Sequence, residues 1–136
     1  SGPGSTLAYT EPLRKQLPEL LKNLEINSIL DAPCGDFNWF NKLRDKLSIS
    51  YIGGDIVKPL IEQNSSNFGN QEIKFQAIDI TKDELPNAEL WLCRDCLIHF
   101  SNADINRALS QFLNSDIQYL LTTTHTETIQ NANIAS

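Results

Sequence analysis

The run from Ser28 to Phe40, SILDAPCGDFNWF, constrains the fold more than any other stretch of the chain. Ser28, Ile29 and Leu30 read as a short buried strand, and Asp31 to Gly35 as a tight turn around one glycine. From Asp36 onward, the apolar residues Phe37, Phe40, Leu43 and Leu47 recur at helical spacing, which predicts a helix. A strand that stops at an acid, turns over a glycine and enters a helix is the unit from which doubly wound α/β sheets build a ligand-binding rim.

The remaining chain reads as further strands laid beside this one. Thr10 is placed to cap a first helix with the apolar stripe Leu13, Leu17, Leu20, Leu21 and Leu24; Pro18 inside it predicts a kink or two shorter helices. Tyr51 to Gly53 lead a second strand to Asp55, and Lys58 to Phe68 follow as a helix. Ile73, Phe75 and Ala77 alternate with Lys74 and Gln76 in a third strand that closes at Asp79. Leu90 to Cys93 is continuously apolar, as a strand covered on both faces must be. Ser101 and Asp104 resemble a capping box ahead of a helix bearing Ile105, Ala108, Leu109, Phe112 and Leu113. Ile117 to Leu121 makes a fifth strand, and the polar tail from Glu127 to Ser136 predicts no strong element.

Strands separated by helical segments predict a mostly parallel sheet with right-handed crossovers. A sheet that stopped at its fifth strand would leave an uncovered edge. Residues 1–136 therefore read as one α/β domain forming the front part of a larger one.

Charge argues against nucleic-acid binding as the chain's main business, while a nucleic-acid substrate met through a further segment stays open. The net charge is −6 and the 11 basic residues are scattered, whereas a nucleic-acid backbone binder clusters its cations. No apolar run approaches the roughly 20 residues that span a bilayer, so no membrane partner is expected. Ser1 to Thr10 lacks a cationic-then-apolar leader, and the odd set Cys34, Cys93 and Cys96 suits a reducing compartment. A cytoplasmic location is the expectation. Ser1 to Ser5, SGPGS, reads either as native sequence or as the remnant of a tag.

Acids mark the strand ends. Asp31, Asp55 and Asp79 are 24 residues apart, and Asp95 lies just past the fourth strand. Any one of them is explained by the frequency of Asp in turns and helix caps. Together, at regular spacing on one rim of a parallel sheet, they favour a ligand. A dinucleotide needs G-x-G-x-x-G so that backbone can approach a pyrophosphate. The turn Asp31-Ala32-Pro33-Cys34-Gly35-Asp36 has one glycine and two acids, which repel phosphate. A ligand with cationic groups and a ribose fits better, with Asp55 positioned to accept hydrogen bonds from ribose hydroxyls.

With these residues in view, the sequence resembles a class I S-adenosylmethionine-dependent methyltransferase from Ser28 to Thr124. DAPCGDF stands at the family's first motif, GGDIV (Gly53 to Val57) at its second, QAIDI (Gln76 to Ile80) at its third, and LWLCRDCLIHFS (Leu90 to Ser101) at its fourth. It is most similar to a group of small bacterial proteins carrying the CGDFNW run. The resemblance implies a Rossmann-like sheet of strand order 3-2-1-4-5, with S-adenosyl-L-methionine lying across the switch between strands 1 and 4. Carried over residue by residue, the turn Asp31, Ala32, Pro33, Cys34 and Gly35 holds the cofactor, with Asp31 and Gly35 bordering its methionine part. Asp55 holds the ribose with Ile56 beside the adenine, Asp79 and Ile80 meet the adenine edge, and Arg94 lies under the cofactor. Pro33 and Cys34 occupy places where the family usually shows glycine. In the CGDFNW group a Gly/Ser-rich segment precedes the first helix, which would bring Gly2 to Thr6 near the cofactor. The resemblance also implies two further strands with helices that build an acceptor pocket, and the chain lacks their sequence. The methyl acceptor, small molecule or macromolecule, stays open.

Methyl transfer from a sulfonium needs an aligned nucleophile and, for some acceptors, a base. His99 and His125 are the candidate bases, although each reads more readily as a structural or exposed histidine. Two other readings compete. Cys93-Arg94-Asp95-Cys96-Leu97-Ile98-His99 is a C-x-x-C-x-x-H run of the kind zinc or redox chemistry uses. Against it, a zinc site takes four ligands, and a thiol closing an apolar strand behaves as a small hydrophobe, so no metal is expected. The other is a cofactor-binding fold without catalysis. Trp39 and Trp91 are expected in the core, and Phe37 and Asn38 at the edge of a pocket.

Overall fold

Ile29 and Leu30 are adjacent in sequence and both fully buried. Successive side chains of a strand point to opposite faces, so this is possible only in a strand covered on both sides. The two residues belong to two separate apolar clusters, one on each face of the sheet. The structure, a computed structural model, describes residues 7–94, 96–123 and 129–133.

The strand carrying these residues, β1 (Ser28–Asp31), sits within a six-stranded sheet. Its companions are β2 (Ser50–Asp55), β3 (Ile73–Ala77), β4 (Leu90–Arg94), β5 (Tyr119–Thr123) and β6 (Ile129–Asn133), in the order β3-β2-β1-β4-β5-β6. The first five pair in parallel in the expected order 3-2-1-4-5. β6 departs from expectation. It runs antiparallel to β5, from Tyr119 opposite Asn133 to Thr123 opposite Ile129, where the polar tail predicted no element. Pairing at a sheet edge is made by main-chain groups, which a side-chain pattern does not report.

Helix α1 (Leu7–Asn23) covers one face, with Leu13, Leu17 and Leu21 packed among Ile29, Phe37, Trp39, Phe40 and Tyr51. It is a single helix that begins before Thr10 and contains both Pro12 and Pro18, so the expected Thr10 cap and the division into two shorter helices are absent. A proline removes one helical hydrogen bond, and the buried leucines on either side hold the rod together across it. The end of α1 is a Schellman turn. Glu25 has φ 56°, its N–H donates to Lys22 O at 3.1 Å, and the Ile26 N–H donates to Leu21 O at 2.9 Å. The opposite face is covered by α3 (Asn102–Asn114), whose Ala108 and Phe112 pack with Leu30, Trp91, Cys93 and Leu120. Ser101 caps it, its hydroxyl accepting from the Asp104 N–H at 3.1 Å. The Asp104 carboxylate accepts from Arg107 at 2.7 Å.

α2 (Lys58–Phe68) matches its predicted bounds, while β5 starts two residues later than expected. The helix predicted from Asp36 does not form. Phe37 is left-handed at φ 66°, and two short 3-10 turns follow at Phe40–Lys42 and Arg44–Lys46. Phe37, Phe40 and Leu43 are spaced by three, which satisfies a 3-10 repeat as well as an α-helical one. All three are buried. No helix among the described residues is long and apolar enough to cross a membrane.

Candidate functional site

The parallel register brings the carboxyl ends of β1, β2 and β4 together, with Asp31 opposite Gly53 on one side and Leu92 on the other. The chain leaving β1 is then fastened at successive residues. The Ala32 N–H donates to Leu92 O at 3.1 Å, and the Cys34 N–H to Gly54 O at 2.8 Å. Trp91 Nε1 donates to Ala32 O at 2.9 Å. Gly35 is held at both ends of its backbone: its N–H donates to Asp55 Oδ2 at 3.2 Å, and its carbonyl accepts from Asn64 Nδ2 at 2.8 Å. Gly35 has φ 62°, the left-handed region that a side chain resists, which is why the turn's one glycine stands there. The Ala32–Pro33 peptide is cis.

Asp31 is the most enclosed acid of the site, 1% exposed. Tyr51 Oη donates to its Oδ2 at 2.6 Å, and its Oδ1 has no partner among the described residues. Burial pushes the Asp31 carboxyl up to about 7, opposed by the Tyr51 hydrogen bond and the positive charge of Arg94. The Cys34 thiol is driven far up by burial and by the neighbouring Asp31 and Asp55 charges, so it stays a thiol and packs as an apolar group. Asp55 is also enclosed, and its Oδ1 accepts from the Val57 N–H at 3.1 Å. Directly after it, Ile56 is 67% exposed. A large apolar side chain left in water at the mouth of a polar turn is a surface a flat ligand can cover.

The sequence-derived candidates thus divide. Asp31, Cys34, Gly35 and Asp55 meet at one rim, Asp31 bonded to Tyr51, Cys34 to Gly54 and Gly35 to Asp55, with Ala32 and Pro33 in the same turn. Arg94 stands at the end of β4, its guanidinium 5.2 Å from the centre of the Trp39 ring. Asp79 makes its own turn, accepting from the Thr81 N–H at 2.9 Å and the Thr81 hydroxyl at 2.6 Å, which hold its carboxyl below the usual range. The Ile78 N–H donates to Asp55 O at 3.0 Å and so ties that segment to the rim. Ile80 is buried in the α3-side cluster. His99 is exposed at the end of a 3-10 turn, Leu97–His99. His125, Asp95 and Gly2 to Thr6 lie outside the described residues.

Phe37, expected at a pocket edge, is instead fully buried, its ring 5.0 to 5.7 Å from those of Tyr51, Phe68, Phe75 and Phe40. Its left-handed backbone turns the side chain into the core rather than along a helix. Cys93 is buried, Cys96 half-buried, and their side chains are hydrogen-bonded, which raises Cys93 and lowers Cys96. Among the described residues, no three His, Cys, Asp or Glu side chains gather as metal ligands would.

Three residues bonded to this rim escaped the sequence: Tyr51, Asn64 and Trp91. Asn64 alone left a trace, a polar residue three positions from the inward-facing Ile61 of α2.

No known family profile matches the chain, and no curated protein does. Solved structures do. Human N-acetylserotonin methyltransferase in complex with S-adenosylmethionine superposes with a TM-score of 0.61 at 16% identity, over 88% of this chain and 39% of that one. The methyltransferase domain of bacterial CtHen1 gives 0.71 at 13% identity, over 88% of this chain and 67% of that one. An S-adenosylmethionine-dependent methyltransferase from Clostridium acetobutylicum gives 0.64 at 16%, over 80% and 48%. The chain spans well under half the length of the human enzyme. At these identities the likeness is one of fold: the chain has the Rossmann-like fold that these methyltransferases share.

Proposed function

We propose that this chain binds S-adenosylmethionine at the carboxyl ends of β1, β2 and β4 and takes part in transferring its methyl group to an acceptor. The observation that carries the reading is the rim made by Asp31, Gly35 and Asp55: a buried acid held by Tyr51, a left-handed glycine bonded to a second acid, and Ile56 exposed beside them. The residues fit the ligand's chemistry. Asp31 has an oxygen without a donor, Asp55 stands where ribose hydroxyls would be received, and Ile56 offers an apolar face to a base. One glycine and two acids suit a sulfonium and an ammonium better than a pyrophosphate.

When bound, the cofactor supplies a methyl group already activated on a sulfonium. The chain's own contribution is position. Gly35, clamped between Asp55 and Asn64, fixes the turn that would border the ligand. Arg94 and Asp79 flank the rim, and His99 is the described candidate for a base. Membership of the small bacterial CGDFNW group and a cytoplasmic location complete the reading, supported by the first-motif run and by the free thiols.

Calorimetric titration of the chain with S-adenosylmethionine and S-adenosylhomocysteine tests this, with Asp55→Ala as the control. Binding by the wild type that Asp55→Ala loses supports the site. No binding to the folded chain at millimolar ligand sinks it, and binding without turnover on any acceptor favours a cofactor-binding module.

A further inference from the structure

Among the buried side-chain polar atoms of the described residues, Asp31 Oδ1 is the one without a hydrogen-bond partner. Its sister oxygen has a single donor among the described residues, the Tyr51 hydroxyl, itself buried. A carboxylate enclosed with one donor is poorly solvated, and the neutral acid is the cheaper guest until a cation arrives nearby. Among the described residues the groups facing it are few: Tyr51 and Asp55 from β2, Arg94 and Cys93 from β4, and Cys34 from the turn. Only Arg94 among them is cationic, and Asp55 opposes it.

The ligand proposed above brings what the pocket lacks. S-adenosylmethionine carries a sulfonium and an ammonium against one carboxylate, whereas S-adenosylhomocysteine has lost the sulfonium charge. We propose that Asp31 and Tyr51 form a proton-linked pair: when the cationic cofactor binds at the rim, Asp31 releases its proton to solvent, and the Tyr51 hydroxyl keeps its own and holds the carboxylate. The inference rests on the cofactor reading. Its support is the closed geometry, together with burial that raises both groups, so that Tyr51 remains a donor while Asp31 sits near its transition at neutral pH. By reciprocity, the affinity for the cationic ligand rises with pH as Asp31 ionises, and the affinity for the neutral thioether rises less.

Calorimetry of the full chain in buffers of different ionisation enthalpy measures the protons released per ligand bound. The ligand's ammonium also titrates, so the readout is the difference between wild type and Asp31→Asn. At about pH 7 the expected difference is roughly half a proton for S-adenosylmethionine, and clearly less for S-adenosylhomocysteine. Tyr51→Phe, which removes the donor, should move the affinity profile to higher pH. Equal release by wild type and Asp31→Asn overturns the pair while leaving cofactor binding intact; absence of binding to the wild type overturns both. If Asp31→Asn fails to fold, Tyr51→Phe decides: an unmoved profile overturns the proposal.

Discussion

Asn64 and Gly35 are 29 residues apart in sequence and 2.8 Å apart in space, the side-chain amide of one donating to the backbone carbonyl of the other. The bond links the buried face of α2 to the turn after β1, two elements that share no local sequence pattern. Asn64→Leu keeps the bulk and removes the donor. We expect it to cost about 1–2 kcal/mol of stability in urea unfolding. If Gly35 borders the cofactor, affinity should fall as well, by roughly tenfold for each 1.4 kcal/mol lost at the site.

Two glycines of the rim should fail for different reasons. Gly35→Ala forces a side chain into the left-handed region and should cost about 1–2 kcal/mol, with no relief from changes elsewhere. Gly54→Ala meets Ile78 Cδ1 at 2.6 Å, a problem of space. Ile78→Val, which removes that methyl, should recover part of the loss in the Gly54→Ala background and none in the Gly35→Ala background. Urea midpoints of the two single and two double variants check this.

Burial of Asp31 makes the ligand-free protein lose stability as pH rises from acid to neutral. Its carboxyl is raised from 3.8 to about 7, so the unfolded chain gives up this proton first. Stability contributed by the neutral acid is intact below about pH 4, declines as pH rises to about 7, and levels off beyond. Asp31→Asn lacks this group, so relative to wild type it should gain stability across that window, by at most about 4 kcal/mol at about pH 8. Thermal unfolding of both proteins at intervals of pH measures the gain. A constant offset would show that Asp31 is already ionised when buried.

Ser101 provides a control away from the rim. Ser101→Ala removes the hydroxyl that accepts from the Asp104 N–H and should cost about 1 kcal/mol. Because α3 packs through Ala108 and Phe112 and supplies no residue of the turn network, ligand affinity should be unchanged. A drop in affinity comparable to that of Asn64→Leu would mean that general loosening, not the Gly35 clamp, governs binding.

Some of the site is readable from single residues. Asp31, Gly35 and Asp55 stand out because each ends a strand or breaks one, and strand ends are marked by a change of local pattern. Tyr51, Asn64 and Trp91 are not readable, because each acts on a group 20, 29 or 59 residues away: the Asp31 carboxylate, the Gly35 carbonyl and the Ala32 carbonyl. A hydrogen bond from a side chain to a distant partner leaves no periodicity behind. The helix expected after Gly35 illustrates the opposite error. Its apolar spacing is real, and the left-handed Phe37 spends it on two 3-10 turns instead.

What the sequence determined by itself was the sheet: an apolar run such as Leu90 to Cys93 demands cover on both faces, and alternation with helical segments makes the strands parallel. That follows from burial, which every residue carries in its own chemistry. What only the tertiary structure decided was how α1 runs unbroken through Pro12 and Pro18, how β6 covers the edge, and how the Asp31 carboxyl meets the Tyr51 hydroxyl. These depend on which main-chain and side-chain groups meet after collapse, and such meetings are a property of the whole packed chain.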